Sequence, residues 1–90
     1  MAGSIFFVTA ITEAPRVRER LFGMIPEGDR YELASDKWMV VYDGHTRDLA
    51  EKAGIRGGDQ MLGMGLALPV TTYSGRAPSA LWEWLKEKGS

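Results

Sequence analysis

Two stretches decide the fold, Ile5-Phe6-Phe7-Val8-Thr9-Ala10-Ile11 and Lys37-Trp38-Met39-Val40-Val41-Tyr42. Successive side chains of a strand point to opposite faces, so a strand with one wet face shows a polar residue at every second position. Neither stretch does so. Ile5, Phe7 and Ile11 alternate with Phe6, Val8 and Ala10, and Trp38, Val40 and Tyr42 alternate with Met39 and Val41. Both read as strands covered on two faces, and therefore as the interior strands of one sheet.

The flanking residues supply the remaining elements. After the first stretch, Thr12 is placed to cap a helix and Pro15 suits its first turn. Val17, Leu21, Met24 and Ile25 then recur along one stripe, with Arg16, Arg18, Glu19 and Arg20 left for water. Pro26-Glu27-Gly28-Asp29 is turn chemistry, and Arg30 to Ala34 forms a hairpin with Lys37 to Tyr42 around Ser35-Asp36. Thr46 is expected to cap a short second helix running through Ala53. Gly54 sits at its left-handed C′ position, with Ile55 folding back on Ala50. Gly57-Gly58-Asp59 reads as a loop. Gly63 to Tyr73 carries Leu66, Leu68 and Val70 at period two, and Pro69 confines that strand to the sheet edge. Tyr73-Ser74-Gly75-Arg76 is a turn, and Pro78-Ser79 opens a last helix bearing Leu81, Trp82, Trp84 and Leu85.

The resulting order, βαββαβ and then α, is that of an α/β (α+β) fold on the ferredoxin-like plan. Its antiparallel four-stranded sheet has the order 4-1-3-2, with the first two helices on one face. The opposite face is then apolar as well and needs cover, from the last helix or from a second subunit.

Ninety residues make one domain, 1–90. A hydrophobic content of 44 % with 26 % charged residues fits an ordinary globular chain. Eleven Lys and Arg against 12 Asp and Glu give a net charge of -1, so no global field draws the protein to nucleic acid, and such binding is expected to be weak and local. With no cysteine, disulfides, thiolate metal sites and cysteine nucleophiles are excluded, in keeping with a cytoplasmic location. The opening Met1 to Val8 lacks a basic region and reads as no signal peptide. No stretch approaches the roughly 20 apolar residues of a membrane helix.

The segment Tyr31-Glu32-Leu33-Ala34-Ser35-Asp36-Lys37-Trp38-Met39-Val40-Val41, with Gly65-Leu66-Ala67-Leu68-Pro69-Val70 and Tyr73-Ser74-Gly75-Arg76 followed by Leu81-Trp82-Glu83-Trp84-Leu85, resembles the small SinR-type proteins, relatives of the CRISPR-associated Cas2 proteins. The resemblance spans residues 4 to 88. It implies a ferredoxin-like subunit, often dimeric through its open sheet face, acting as a metal-dependent nuclease or as an architectural nucleic-acid-binding subunit. The nuclease members carry an aspartate, usually after a tyrosine, at the end of the first strand. The matching positions here are Ala10 and Ile11, neither of which offers a carboxylate to a divalent cation, so that activity is not carried over.

The residues themselves give only scattered candidates for chemistry. Glu13, Asp43, His45 and Asp48 are the acids and the one histidine near strand ends, but Glu13 and Asp43 fall too far apart to converge on a metal. A lone His45 without a nucleophile elbow makes no triad. The glycines lack the spacing and the following helix of a phosphate loop. Gly63 and Gly65 would nevertheless leave a flat spot where another backbone approaches, and Trp82 or Trp84 could anchor a partner. Ser74, Gly75 and Arg76 precede the last helix as a candidate anion site. Arg16, Arg20 and Arg30 are a candidate nucleic-acid strip, interleaved with Glu13, Glu19 and Glu27. The expectation is a non-catalytic homodimeric or partner-binding module with no cofactor and no metal. Its alternatives are a nucleic-acid-binding subunit and a metal-dependent nuclease.

Overall fold

The computed structural model describes residues 3–57 and 61–89. Four strands, β1 (Ser4–Ala10), β2 (Arg30–Ala34), β3 (Lys37–Tyr42) and β4 (Gly65–Pro69), form one sheet in the order β2-β3-β1-β4. Every neighbouring pair is antiparallel. Among the described residues, the helices α1 (Ala14–Met24), α2 (Thr46–Lys52) and α3 (Ser79–Gly89) complete the fold, with a 3-10 turn at Glu27–Asp29. β1 and β3 are the interior strands, as two-sided apolarity requires.

Each sheet face has its own core. Phe6, Val8 and Ala10 of β1 and Trp38 and Val40 of β3 point to the first face. There they meet Val17, Leu21 and Ile25 from α1 and Leu49, Ala53 and Ile55 from α2. On the second face Ile5 and Met39 meet Leu81 and Leu85 of α3. Trp38, Val8, Val17, Leu21 and Leu49 are wholly buried, and burying such side chains is the main stabilising contribution, about 1.5–3 kcal/mol each for the aliphatic ones.

The N-termini of α1 and α2 carry no side-chain caps. Glu13, not Thr12, is the N-cap of α1, and it takes φ 57° with no side-chain cap bond. The Thr12 hydroxyl instead accepts the backbone N–H of Met64 at 2.7 Å, tying the approach to β4 onto the end of β1. Thr46 is the first residue of α2, behind an N-cap at His45 that likewise has no side-chain bond. The C-terminal signal of α2 holds. Gly54 takes φ 84°, its N–H reaches Glu51 O at 3.1 Å, and Ile55 N–H reaches Ala50 O at 3.0 Å, a complete Schellman closure. α1 ends where Ile25 turns extended ahead of Pro26. β4 is shorter than its alternating pattern suggested, five residues in place of Gly63 to Tyr73. Ile11 lies past the end of β1 and is 62 % exposed. Gly58 and Asp59 of the expected loop lie outside the described residues.

Candidate functional site

The second sheet face is the surface left unfinished. Residues directly opposed in antiparallel strands share a face. Phe7 therefore stands between Met39 and Leu68, and Thr9 between Lys37 and Leu66. α3 crosses one end of this face, where Leu81 and Leu85 bury Ile5 and Met39 and pack beside Phe7, Tyr31, Val41 and Val70. Its position is fixed by polar contacts at both ends. The Trp84 indole N–H donates to Gly28 O at 3.2 Å, its ring lies 6.1 Å from that of Tyr31, and Lys88 pairs with Asp29 at 3.4 Å. The Trp82 indole N–H donates to Ala77 O at 3.2 Å, and its ring stacks on Tyr73 at 6.0 Å.

Beyond the reach of α3, the described residues of this face include several exposed apolar side chains. Leu66 is 52 % exposed, Leu68 48 % and Met64 59 %, and Ile11 adjoins them, since its N–H donates to Met64 O at 2.7 Å. These residues form an apolar strip along the β1–β4 edge. Scattered exposed leucines are ordinary, whereas several exposed apolar side chains in neighbouring positions make this the candidate surface of the molecule. None of Leu66, Leu68, Met64 and Ile11 was a candidate from sequence. The available signal was the run from Met61 to Gly75, which holds no charged residue.

The structure places the sequence candidates as follows. Trp82 and Trp84, the candidate partner anchors, are partly buried and make hydrogen bonds and ring contacts within the chain. Gly63 and Gly65 do not leave an open flat spot. A Cβ on Gly63 would meet the Thr12 hydroxyl and the Glu13 side chain, and one on Gly65 would lie 2.5 Å from Thr9 O and 2.8 Å from Ile55 Cγ2. The backbone that approaches Gly65 is the chain's own, at Thr9, whereas Gly63 is approached by side chains. Ser74, Gly75 and Arg76 are exposed ahead of α3, and Gly75 takes φ 149°, a backbone requirement for glycine.

The basic strip is divided. Arg16 and Arg20 share a shallow groove of about 470 Å³ with Glu19, Gly23, Met24 and Leu62. Arg16 pairs with Glu13 at 3.7 Å and Arg20 donates to Lys52 O at 3.3 Å. Arg30 is turned elsewhere, donating to Ile25 O at 2.6 Å with its guanidinium 4.0 Å from the Phe22 ring centre. Arg18 lies 4.2 Å from the same ring centre.

Arg18 Nε also donates to Glu32 Oε2 at 2.6 Å, and the Trp38 indole N–H donates to that same oxygen at 3.0 Å. These donors, Arg18 foremost, hold the Glu32 carboxyl below its ordinary range, and the same pairing raises Arg18. A second cluster joins Tyr42, Asp48 and Lys52. The Tyr42 hydroxyl donates to Asp48 and Lys52 stands 3.5 Å from Asp48. Burial, then the Asp48 bond, pushes the Tyr42 hydroxyl up. Asp48 is lowered, first by that bond and further by Lys52, and Lys52 is raised, first by Tyr42. Both clusters hold elements together: the first joins α1 to β2 and β3, the second joins β3 to α2. His45 and Asp48 line a groove with Arg47 and Glu51, but among the described residues no three His, Asp or Glu side chains converge as metal ligands. Among the described residues no helix is long and apolar enough to cross a membrane. No family model, curated protein or solved structure matches this chain.

Proposed function

We propose that this chain is a non-catalytic association module of ferredoxin-like plan that pairs with a second copy through the uncovered part of its second sheet face. The observation that carries the reading is the exposed strip of Leu66, Leu68, Met64 and Ile11 beside a helix that covers only the other end of that face. Burying such a strip removes apolar area from water, at about 25 cal/mol per Å². A two-fold arrangement makes one patch serve both partners. The strand order β2-β3-β1-β4 supports the ferredoxin-like plan, and the resemblance to SinR-type and Cas2-like subunits points to the same kind of association.

Light scattering on a sizing column tests it. At high micromolar concentration the expected mass is that of a dimer, and a strictly monomeric mass would refute the reading. A non-catalytic module should also leave labelled RNA and DNA intact in magnesium or manganese. Cleavage that follows the protein peak and disappears in Asp43→Ala would replace this function with that of a metal-dependent nuclease.

A further inference from the structure

β4 is an edge strand, and the direction of its free backbone groups follows from its pairing with β1. Ile11 N–H donates to Met64 O, and Val70 N–H donates to Ile5 O at 2.9 Å. The register between them opposes Thr9 to Leu66 and Phe7 to Leu68. Bonded and non-bonded pairs alternate along an antiparallel ladder. Leu66 and Leu68 therefore direct their backbone groups to β1, while Gly65, Ala67 and Pro69 direct theirs outward. Pro69 has no N–H to lose at that outward position, which is why the strand tolerates it.

Exposed edges are normally blunted by a charge, and lysine is the commonest device. β4 has none, nor has any residue from Met61 to Gly75. Its blunting features among the described residues are its short length of five residues and Pro69, which removes one outward donor and leaves its carbonyl available.

Resting on the self-association proposed above, we infer that β4 pairs antiparallel with β4 of a second copy about a two-fold axis at Ala67. In this register each Ala67 exchanges both backbone bonds with Ala67 of the partner subunit, and each Gly65 N–H donates to the carbonyl of Pro69 of the partner subunit. The single missing donor of Pro69 falls opposite Gly65 O. On the second face, Leu66 of each copy lies directly against Leu68 of the partner subunit, in a close non-hydrogen-bonded pair with Cα atoms about 4.5 Å apart. The two exposed leucines thus complete each other. On the first face the paired positions are Gly65, Ala67 and Pro69, small enough to enter the groove of about 280 Å³ between α2 and β4, which Ala50, Ile55 and Ala67 help to line. A slip of one residue would place each leucine opposite Ala67 or Pro69 on the wrong face, whereas a slip of two keeps the face and sets Leu66 or Leu68 against its own counterpart, which the paired variants below distinguish.

The absence of native cysteine permits a direct test with two single variants, Leu66→Cys and Leu68→Cys, both at exposed positions. Mixed in equal amounts under mild oxidation, they should give a covalent dimer as the main product, at least tenfold more than either variant oxidised alone. Like positions lie diagonally, about 7–8 Å apart, beyond comfortable disulfide reach. Light scattering on the wild-type chain runs in parallel. A dimeric mass with no excess of mixed disulfide would overturn the strand pairing and leave self-association standing. A monomeric mass, with no cross-linking in the mixture, would overturn both.

Discussion

Glu32 is the residue on which several elements depend. It stands opposite Trp38 in the β2–β3 ladder, accepts the indole N–H of that buried ring, and holds Arg18 from α1. Glu32→Ala should destabilise the protein by about 1–3 kcal/mol, because the N–H of a fully buried Trp38 is left without its acceptor. Glu32→Gln retains an acceptor and loses the charge, so its deficit should be smaller and pH-dependent. The folded-state carboxyl is depressed, first by Arg18. The charge therefore stabilises the fold fully above the unfolded-state value of about 4.3, progressively less as pH falls below it, and not at all below the folded-state value. Urea titrations of wild type and Glu32→Gln should differ at pH 7 and converge on acidification. A gap that widened toward low pH would contradict this account. The alternation of β2 and β3 was legible in sequence and placed Trp38 in the core. The link from Glu32 to Arg18 was not, since it depends on how α1 lies across the sheet.

At the scale of elements, the legible signals were those in which one residue type has few alternatives. Gly54 before Ile55 closed α2 as expected, and Pro69 marked an edge strand. Thr12 and Thr46 misled, because a threonine hydroxyl is free to take a tertiary partner, as Thr12 does with Met64. β4 was overestimated for a similar reason. Its alternation continues past Pro69, but pairing with β1 ends where the chain turns off to carry α3 across the second face.

Two substitutions examine these elements. Gly65→Ala should destabilise by about 1–3 kcal/mol, since its Cβ meets backbone at Thr9 O and the branched Ile55. Thermal melting at unchanged Tm would show that β4 lies farther from β1 and the α2 end than described. Leu85→Ala should lose about 2–5 kcal/mol, because Leu85 is 1 % exposed and joins α3 to Ile5 and Met39. A loss below about 1 kcal/mol in denaturant titration would mean that α3 does not dock on the second face.

For the whole molecule, the sequence made both faces of the sheet apolar and left their covers to be identified. The first two helices complete one face. α3 completes part of the other and leaves the strip at β4 exposed. How far a helix reaches across a sheet depends on the path of the preceding segment, which periodicity does not encode. The candidate surface was thus only half legible: the need for a cover could be read, the residues needing it could not. The net charge is -1, and Arg30 makes its contacts at Ile25 and Phe22 while Arg16 and Arg20 share a separate groove, so these three arginines do not form the one strip on which phosphates would be neutralised together. The most direct test of the central claim is sedimentation equilibrium of the wild-type chain beside Leu68→Glu, a substitution at a half-exposed position that the monomer should tolerate, as circular dichroism would verify. Wild type is expected to form a concentration-dependent dimer, and the variant to show a dissociation constant raised at least tenfold, equivalent to about 1.4 kcal/mol. Equal association of the two proteins, or a wild type that stays monomeric throughout, would contradict it.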